Sequence, residues 1–159
     1  RSSGDALPHD RTQDLEMARS FRVLLVEDND PLRGCLDEFL ASRGWTVRST
    51  GYGQEAVELA LSMQFDFSIL DFHLRGMTGL EVFQAITRQQ PMPSIMMSGE
   101  ASHEETVAAQ SAGVFTFLQK PFELNRLRST VDLLIRHHFS RLQLRPPGPT
   151  GNPGSDPGA

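Results

Sequence analysis

Short apolar runs recur along the middle of the chain, and each of them ends abruptly at polar residues. The first run is Val23–Val26, which stops at Glu27 and Asp28. Four consecutive apolar residues are typical of a short strand that is buried on both faces of a sheet. The same pattern predicts four further strands, near Thr46–Ser49, Phe67–Leu70, Ser94–Met97 and Phe115–Leu118.

Segments with helical spacing of apolar residues separate these runs. After the first run, Asn29 or Asp30 can cap a helix, and Pro31 suits its first turn because an N–H there has no helical partner. Gly44 ends this helix. Four more helices are predicted around Val57–Leu61, Val82–Ile86, Glu104–Gln110 and Leu127–Ile135. Strands that alternate with helices predict an α/β fold with a parallel sheet covered on both faces.

Length and composition favour one domain with two tails. A chain of 159 residues, 38% of them hydrophobic, can bury one good-sized core but hardly two. In residues 146–159, nine of fourteen residues are Pro or Gly, and so few apolar groups cannot offset the entropy of ordering. We therefore expect a flexible segment at 1–20, a folded domain at 21–144, and a disordered tail or linker at 145–159.

Charge and hydropathy exclude some classes of partner. The net charge of -5 argues against a protein that coats nucleic acid or an anionic membrane. No apolar run approaches the roughly 20 residues of a membrane helix. We expect a soluble, cytoplasmic protein that contacts neither nucleic acid nor membrane directly. Cys35 is the only cysteine, and its place in an apolar helical pattern predicts a buried structural thiol.

Polar residues with reactive side chains stand where four of the predicted strands end. They are Glu27, Asp28, Asp71, Ser98 and Lys120. Because ligand sites of such sheets lie beyond the carboxyl ends of the strands, we expect these side chains to converge. Three neighbouring carboxylates repel one another unless a cation neutralises them, and an all-oxygen site suits Mg2+. Lys120 adds a positive charge for an incoming phosphoryl group, and Ser98 adds a hydrogen-bond donor.

Any one of these residues by itself is more often a helix cap or a loop residue. Their order along the chain is more specific, because four segments resemble the motifs of the response regulator receiver family of two-component signalling. The segments are VLLVEDND, SILDFHLRGMTGLEVF, IMMSGE and FTFLQKPF, within a similarity that covers roughly residues 21–144. The resemblance implies a flavodoxin-like fold with five parallel strands in the order 2-1-3-4-5, for which a member of this family is a known example.

The resemblance also implies a phosphorylation site and its metal. Asp71 would accept the phosphoryl group, and Glu27, Asp28 and Asp71 would bind Mg2+ together with the backbone carbonyl of His73. Lys120 would contact the phosphoryl group. The chain would then be a phosphoacceptor signalling domain that assists its own phosphorylation and dephosphorylation, and not an enzyme acting on a separate substrate.

Further residues correspond to the family's conformational switch. Ser98 would reach the phosphoryl group when its loop moves, and Phe117 would turn into the space that Ser98 leaves. The peptide bond between Lys120 and Pro121 would be cis, a form whose cost proline lowers to about 0.5 to 1 kcal/mol.

Some positions depart from the most familiar pattern of the family. Glu27 stands where many members have Asp, and its longer side chain could reach the metal through water. Ser98 and Phe117 replace the Thr and Tyr of some members. His73 and Glu100 occupy positions that tune how fast the phosphoryl group is lost, and an ordinary role as exposed loop residues is an equal alternative.

The resemblance implies a sensor histidine kinase or a phosphotransfer protein as the partner that supplies the phosphoryl group. The output protein or domain is unknown, and a phosphorylation-dependent homodimer is one option. Two other functions remain open. The chain could be a degenerate receiver that only binds proteins, although Asp71 and Lys120 are both present. It could also be a phosphohydrolase of the haloacid dehalogenase type, but that family has a second Asp where this chain has His73.

Overall fold

The structure is a computed structural model, and it describes residues 19–140. Within this range, five strands alternate with five helices, as the pattern of apolar runs predicted. The strands are β1 (Arg22–Val26), β2 (Thr46–Thr50), β3 (Phe67–Asp71), β4 (Ser94–Ser98) and β5 (Thr116–Gln119). The helices are α1 (Asp30–Ser42), α2 (Gly53–Ser62), α3 (Gly79–Gln89), α4 (His103–Ala112) and α5 (Leu124–His138).

The five strands form one parallel sheet in the order β2-β1-β3-β4-β5. This confirms the flavodoxin-like α/β fold with the order 2-1-3-4-5. Every residue of β3 and β4 is buried, since helices cover both faces of the sheet. The register places Asp71 beside Met97 and Ser98 beside Gln119. The carboxyl ends of the central strands therefore meet at one edge.

Two apolar layers fill the space between the sheet and its helices. Side chains alternate along β1, so Val23 and Leu25 face one layer while Leu24 and Val26 face the other. The first layer includes buried residues of α1 and α5, and the second includes buried residues of α2, α3 and α4. Packing on both faces of the sheet therefore fixes the positions of the strand ends.

Side chains cap three of the five helices that begin at the carboxyl edge. Asn29 caps α1 by accepting a hydrogen bond from the Leu32 N–H at 2.9 Å, so Asn29 is the cap among the two predicted candidates. Thr78 caps α3 in the same way. Ser102 and Glu105 form a reciprocal capping box at the start of α4. These caps fix where the loops before α1, α3 and α4 end.

The prediction for Cys35 is wrong, because its thiol is exposed and not buried. Successive residues point about 100° apart around a helix, and the neighbouring Leu36 is the one that faces the core. Leu61, which belongs to the apolar pattern of α2, is likewise 60% exposed while Ala60 is buried. Apolar character alone did not settle which side of the helix these two residues occupy.

The proposed tails fall mostly outside the described residues. Only Arg19 and Ser20 of the predicted segment 1–20 are described, and the predicted tail 145–159 and residues 141–144 are not. Across residues 19–140, none of the helices has both the length and the apolar character needed to cross a membrane.

Candidate functional site

Hydrogen bonds between strands continue just past the strand ends and fix the residues that follow. The Glu27 N–H donates to the Thr50 carbonyl at 3.0 Å, and the Lys120 N–H donates to the Ser98 carbonyl at 2.8 Å. Asp71 is itself the last residue of β3. The backbone therefore brings residues from distant parts of the sequence to one edge of the sheet, as the pattern of strand ends predicted.

Three carboxylates meet at this edge. Glu27, Asp28 and Asp71 each offer one oxygen, and these oxygens all lie within 4.8 Å of one another. Glu27 is fully buried, Asp71 is 4% exposed and Asp28 is half-buried. Among residues 19–140, no other three His, Cys, Asp or Glu side chains come together in this way. The predicted acidic cluster is therefore present in the fold.

Lys120 reaches into the cluster from the end of β5. Its Nζ donates to Glu27 Oε1 at 2.8 Å and to Oε2 at 3.0 Å, and it lies 3.4 Å from Asp71 Oδ2. The following peptide bond, to Pro121, is cis. Two of the three carboxylates, those of Glu27 and Asp71, contact this ammonium group, so one positive charge stands against three acidic groups.

Burial raises the pKa of the Glu27 carboxyl from 4.5 to about 7. A hydrogen bond and the charge of Asp71 also raise this pKa, while Lys120 opposes the shift. A divalent cation would relieve the repulsion that otherwise favours protonation of Glu27. The donor set consists of oxygens, with two of the three carboxylates buried, and it therefore fits a hard ion such as Mg2+.

Ser98 and Phe117 share a cavity beside the acidic cluster. The cavity has a volume of about 330 Å3 and is also lined by Glu100. Ser98 is buried at the end of β4, and its hydroxyl oxygen lies 3.3 Å from the Glu100 N–H, from which it accepts a hydrogen bond. The Phe117 ring is half-buried, with its centroid 6.3 Å from that of Phe72. The two predicted switch residues are therefore close enough to share one space.

His73 and Glu100 are both exposed on loops at this edge. The His73 N–H donates to Asp71 Oδ1 at 3.3 Å, so the loop after β3 turns around the Asp71 carboxylate. The role of the His73 carbonyl as a metal ligand stays a prediction. The exposure of both side chains suits a tuning role as well as that of ordinary loop residues.

Sequence reasoning missed two residues that support the site. A Cβ at Gly79 would lie only 2.2 Å from the Asp71 carbonyl oxygen, so α3 can approach the end of β3 only with glycine there. Arg33 donates to the Glu27 carbonyl at 2.8 Å. A glycine at the start of a helix is a weak signal by itself, and a basic residue in α1 carries no signal of a contact with backbone.

A family model described as the response regulator receiver domain matches residues 23–132, and the chain belongs to this family of two-component signalling domains. The curated protein "Transcriptional activator protein PfeR" of Pseudomonas aeruginosa is 35% identical over 124 residues, which are 77% of this chain and 41% of that protein. The chain thus spans less than half the length of this relative.

Solved structures of receiver proteins have the same fold. The chemotaxis protein CheY4 of Vibrio cholerae is 28% identical with a TM-score of 0.68, over 73% of this chain and 99% of that one. The signal receiver domain of a putative Luxo repressor protein from Vibrio parahaemolyticus is 25% identical with a TM-score of 0.70, over 79% of this chain and 95% of that one. The family that the four motifs indicated is confirmed.

Proposed function

We propose that the chain is a phosphorylatable receiver, which accepts a phosphoryl group on Asp71 from a phosphohistidine of a sensor histidine kinase or phosphotransfer protein. One observation carries this proposal. The Asp71 carboxylate lies 3.4 Å from the Lys120 ammonium and within 4.8 Å of oxygens of Glu27 and Asp28. A nucleophile, a fixed positive charge and a set of ligands for a hard cation are thus combined at one place.

Glu27, Asp28, Asp71 and the backbone carbonyl of His73 would hold Mg2+. When bound, the ion supplies positive charge that offsets the charge on the transferring phosphoryl group. An Asp71 oxygen attacks phosphorus and forms the new P–O bond. The P–N bond of phosphohistidine breaks, and its electron pair stays on the imidazole nitrogen. Asp71 and Lys120 contribute mainly by their fixed positions, since the β3 and β5 ends hold them.

Lys120 would exchange one set of partners for another during this reaction. Its ammonium group now donates to both oxygens of Glu27, and Asp71 lies slightly farther away. A phosphoryl group on Asp71 would offer new oxygens beside the same ammonium group. Such charge-assisted hydrogen bonds are stronger than neutral ones.

Ser98 and Phe117 would transmit phosphorylation to the surface. The acyl phosphate carries roughly two negative charges, and a hydrogen bond from the Ser98 hydroxyl would draw the β4–α4 loop towards it. Phe117 would move further into the cavity that it shares with Ser98. The receiver would thus have two conformations, one before and one after these movements. Phosphorylation shifts the equilibrium between them only by the difference in free energy with which the phosphoryl group interacts with each.

The output is proposed from the relative that is described as a transcriptional activator. This chain matches 41% of that protein, so we propose that the receiver controls an output domain or a separate partner protein. The receiver itself would work in the cytoplasm without contacting nucleic acid or membrane. Phosphorylation-dependent pairing of two receivers is one way in which it could act.

Labelling with a small phosphodonor tests the proposed function. We expect the wild-type protein to gain the mass of one phosphoryl group when it is incubated with acetyl phosphate and Mg2+. Asp71→Asn should gain none, because an amide cannot form the acyl phosphate. Asp66→Asn is the matched control. Asp66 comes directly before β3, at the end of the strand away from Asp71, and it pairs with Arg19. Intact mass spectrometry measures all three proteins.

Each result has a distinct meaning. A wild-type protein that stays unlabelled, under conditions that label another receiver, would contradict phosphorylation and favour the degenerate, protein-binding alternative. Equal labelling of Asp71→Asn would contradict the site assignment alone. Chelation of Mg2+ before the donor is added should stop labelling of the wild type.

A further inference from the structure

Arg33 joins the acidic loop to the start of α1. Its Nη1 donates to the backbone carbonyl of Glu27 at 2.8 Å, and its Nη2 donates to Asp30 Oδ1 at 2.7 Å. The Arg33 side chain is 25% exposed, so most of it is packed against the protein. The first of these bonds is of interest because the Glu27 carbonyl belongs to the peptide that leads into Asp28.

Both backbone polar groups of Glu27 are fixed by hydrogen bonds. The Glu27 N–H donates to the Thr50 carbonyl at 3.0 Å, and the Glu27 carbonyl accepts from Arg33. The orientation of the peptide between Glu27 and Asp28 sets the direction in which the Asp28 carboxylate leaves the backbone. Without Arg33, the carbonyl could bond to water instead, and this peptide would be free to rotate.

Gly51 provides the space in which the Arg33 side chain lies. A Cβ at position 51 would be 2.9 Å from Arg33 Nη1, whereas its nearest backbone neighbours would be at an ordinary 3.6 Å. The φ angle of Gly51 is not in the left-handed region, so its conformation does not require glycine. A Cβ at this position would therefore press on the Arg33 guanidinium group and on no backbone atom.

We propose that Arg33 is a positioning residue for Mg2+ binding, which fixes the Glu27–Asp28 peptide and thereby preorganises the acidic pair. This inference rests on the proposed function, since it concerns the same metal site. Arg33 acts through the backbone, since its guanidinium group donates to the Glu27 carbonyl and to Asp30 and not to the carboxylates of Glu27, Asp28 or Asp71.

The charge of Arg33 makes the inference easy to distinguish from a simple electrostatic effect. A positive charge near the acidic cluster repels a divalent cation, so its removal would by itself strengthen Mg2+ binding. A positioning role predicts the opposite, because the Asp28 carboxylate would lose its fixed orientation. The direction of the change in Mg2+ affinity therefore decides between the two effects.

Calorimetric titration of the full chain with Mg2+ alone provides the test. We expect Arg33→Ala to raise the dissociation constant about three- to tenfold, the factor that corresponds to one ordinary hydrogen bond. Arg33→Lys should recover part of the affinity, since an ammonium group can donate to the Glu27 carbonyl. Gly51→Ala should weaken binding while the charge of Arg33 is kept, because the added methyl group displaces Nη1.

Asp30→Ala is the matched control. It removes the second partner of Arg33 but keeps the bond to the Glu27 carbonyl. Because the Asp30 side chain is 81% exposed, we expect the dissociation constant to stay within about twofold of the wild type. Thermal unfolding without metal shows whether each variant is folded, and Gly51→Ala tests the inference if Arg33→Ala is not.

The possible results separate the two proposals. If the wild type binds Mg2+ and both Arg33→Ala and Gly51→Ala bind it equally well or more tightly, the positioning role is overturned and the proposed function is not. If the wild type binds no Mg2+ at millimolar concentrations, the proposed function is overturned together with this inference. Weaker binding by both variants, with partial recovery in Arg33→Lys, supports the positioning role.

Discussion

At the scale of single residues, Glu27 shows how the fold changes the chemistry of an ordinary carboxyl group. It stands where many members of the family have Asp, and both of its oxygens accept hydrogen bonds from Lys120. The side chain is fully buried, so its charged form has lost the solvation that water provides. Its pKa of about 7 is the result of this loss more than of any single neighbour.

The raised pKa of Glu27 predicts how stability depends on pH in the metal-free protein. Glu27 titrates near 4.5 in the unfolded chain and near 7 in the folded protein. Between these values the folded state binds more protons, so the free energy of unfolding should decrease as the pH rises. The decrease contributed by Glu27 is on the order of 3 kcal/mol. Urea unfolding across this pH range measures it.

Two variants show whether Glu27 causes this decrease. Glu27→Gln cannot titrate, and its free energy of unfolding should fall less between these pH values than that of the wild type. Glu104→Gln removes an exposed carboxyl from the first turn of α4 and should keep the wild-type slope. Parallel pH profiles for wild type and Glu27→Gln would show that the pKa is not raised.

At the scale of elements, α4 differs from its neighbours because it contributes little to the core. Ala109 is its only buried residue, whereas α3 buries four residues and α5 buries four. Packing therefore holds α4 less firmly, and its capping box matters more. The helix follows the loop that begins after Ser98, so the stability of its start also concerns the proposed switch.

Removal of the cap should therefore have a measurable cost. We expect Ser102→Ala to lower the free energy of unfolding by about 1 kcal/mol, because the Glu105 N–H loses its acceptor. Ser111→Ala, an exposed position near the end of the same helix, should change it by only a few tenths of a kcal/mol. Urea unfolding measures both. Equal effects of the two variants would mean that the capping box adds nothing.

At the scale of the whole molecule, one ion pair connects the end of α1 to α5 across 89 residues of sequence. Arg43 Nη2 lies 2.8 Å from Asp132 Oδ1, and the Arg43 guanidinium also lies 4.4 Å from the centre of the Trp45 ring. Both side chains of the pair are mostly buried. Trp45 belongs to the apolar layer that includes α1 and α5, so this contact borders that layer.

Loss of this partly buried pair should cost more than loss of an exposed pair. We expect Asp132→Asn to lower the free energy of unfolding by about 1 to 3 kcal/mol, because a mostly buried guanidinium loses its carboxylate partner. Asp30→Asn, which alters the exposed pair with Arg33, should cost at most about 1 kcal/mol. Chemical denaturation compares the two variants. A larger loss for Asp30→Asn would contradict the importance of the long-range pair.

The sequence by itself determined how strands and helices alternate along the chain and which residues lie at the carboxyl edge. Asp71 and Lys120 were found because each follows a buried apolar run, and a parallel sheet brings the ends of such runs together. The strand order came from resemblance to a family and not from periodicity. The alternation of elements and the polar residues at the strand ends depend on local patterns, which a chain carries whether or not it is folded.

The tertiary structure alone decided which atoms touch. The exposure of Cys35 depends on which face of α1 it occupies. The contact of Arg33 with the Glu27 carbonyl and the need for glycine at position 79 depend on how α1 and α3 approach the ends of the strands. The raised pKa of Glu27 depends likewise on complete burial beside Asp71. Such properties arise from distances of a few ångströms in three dimensions, and hydrophobic periodicity contains no information about them.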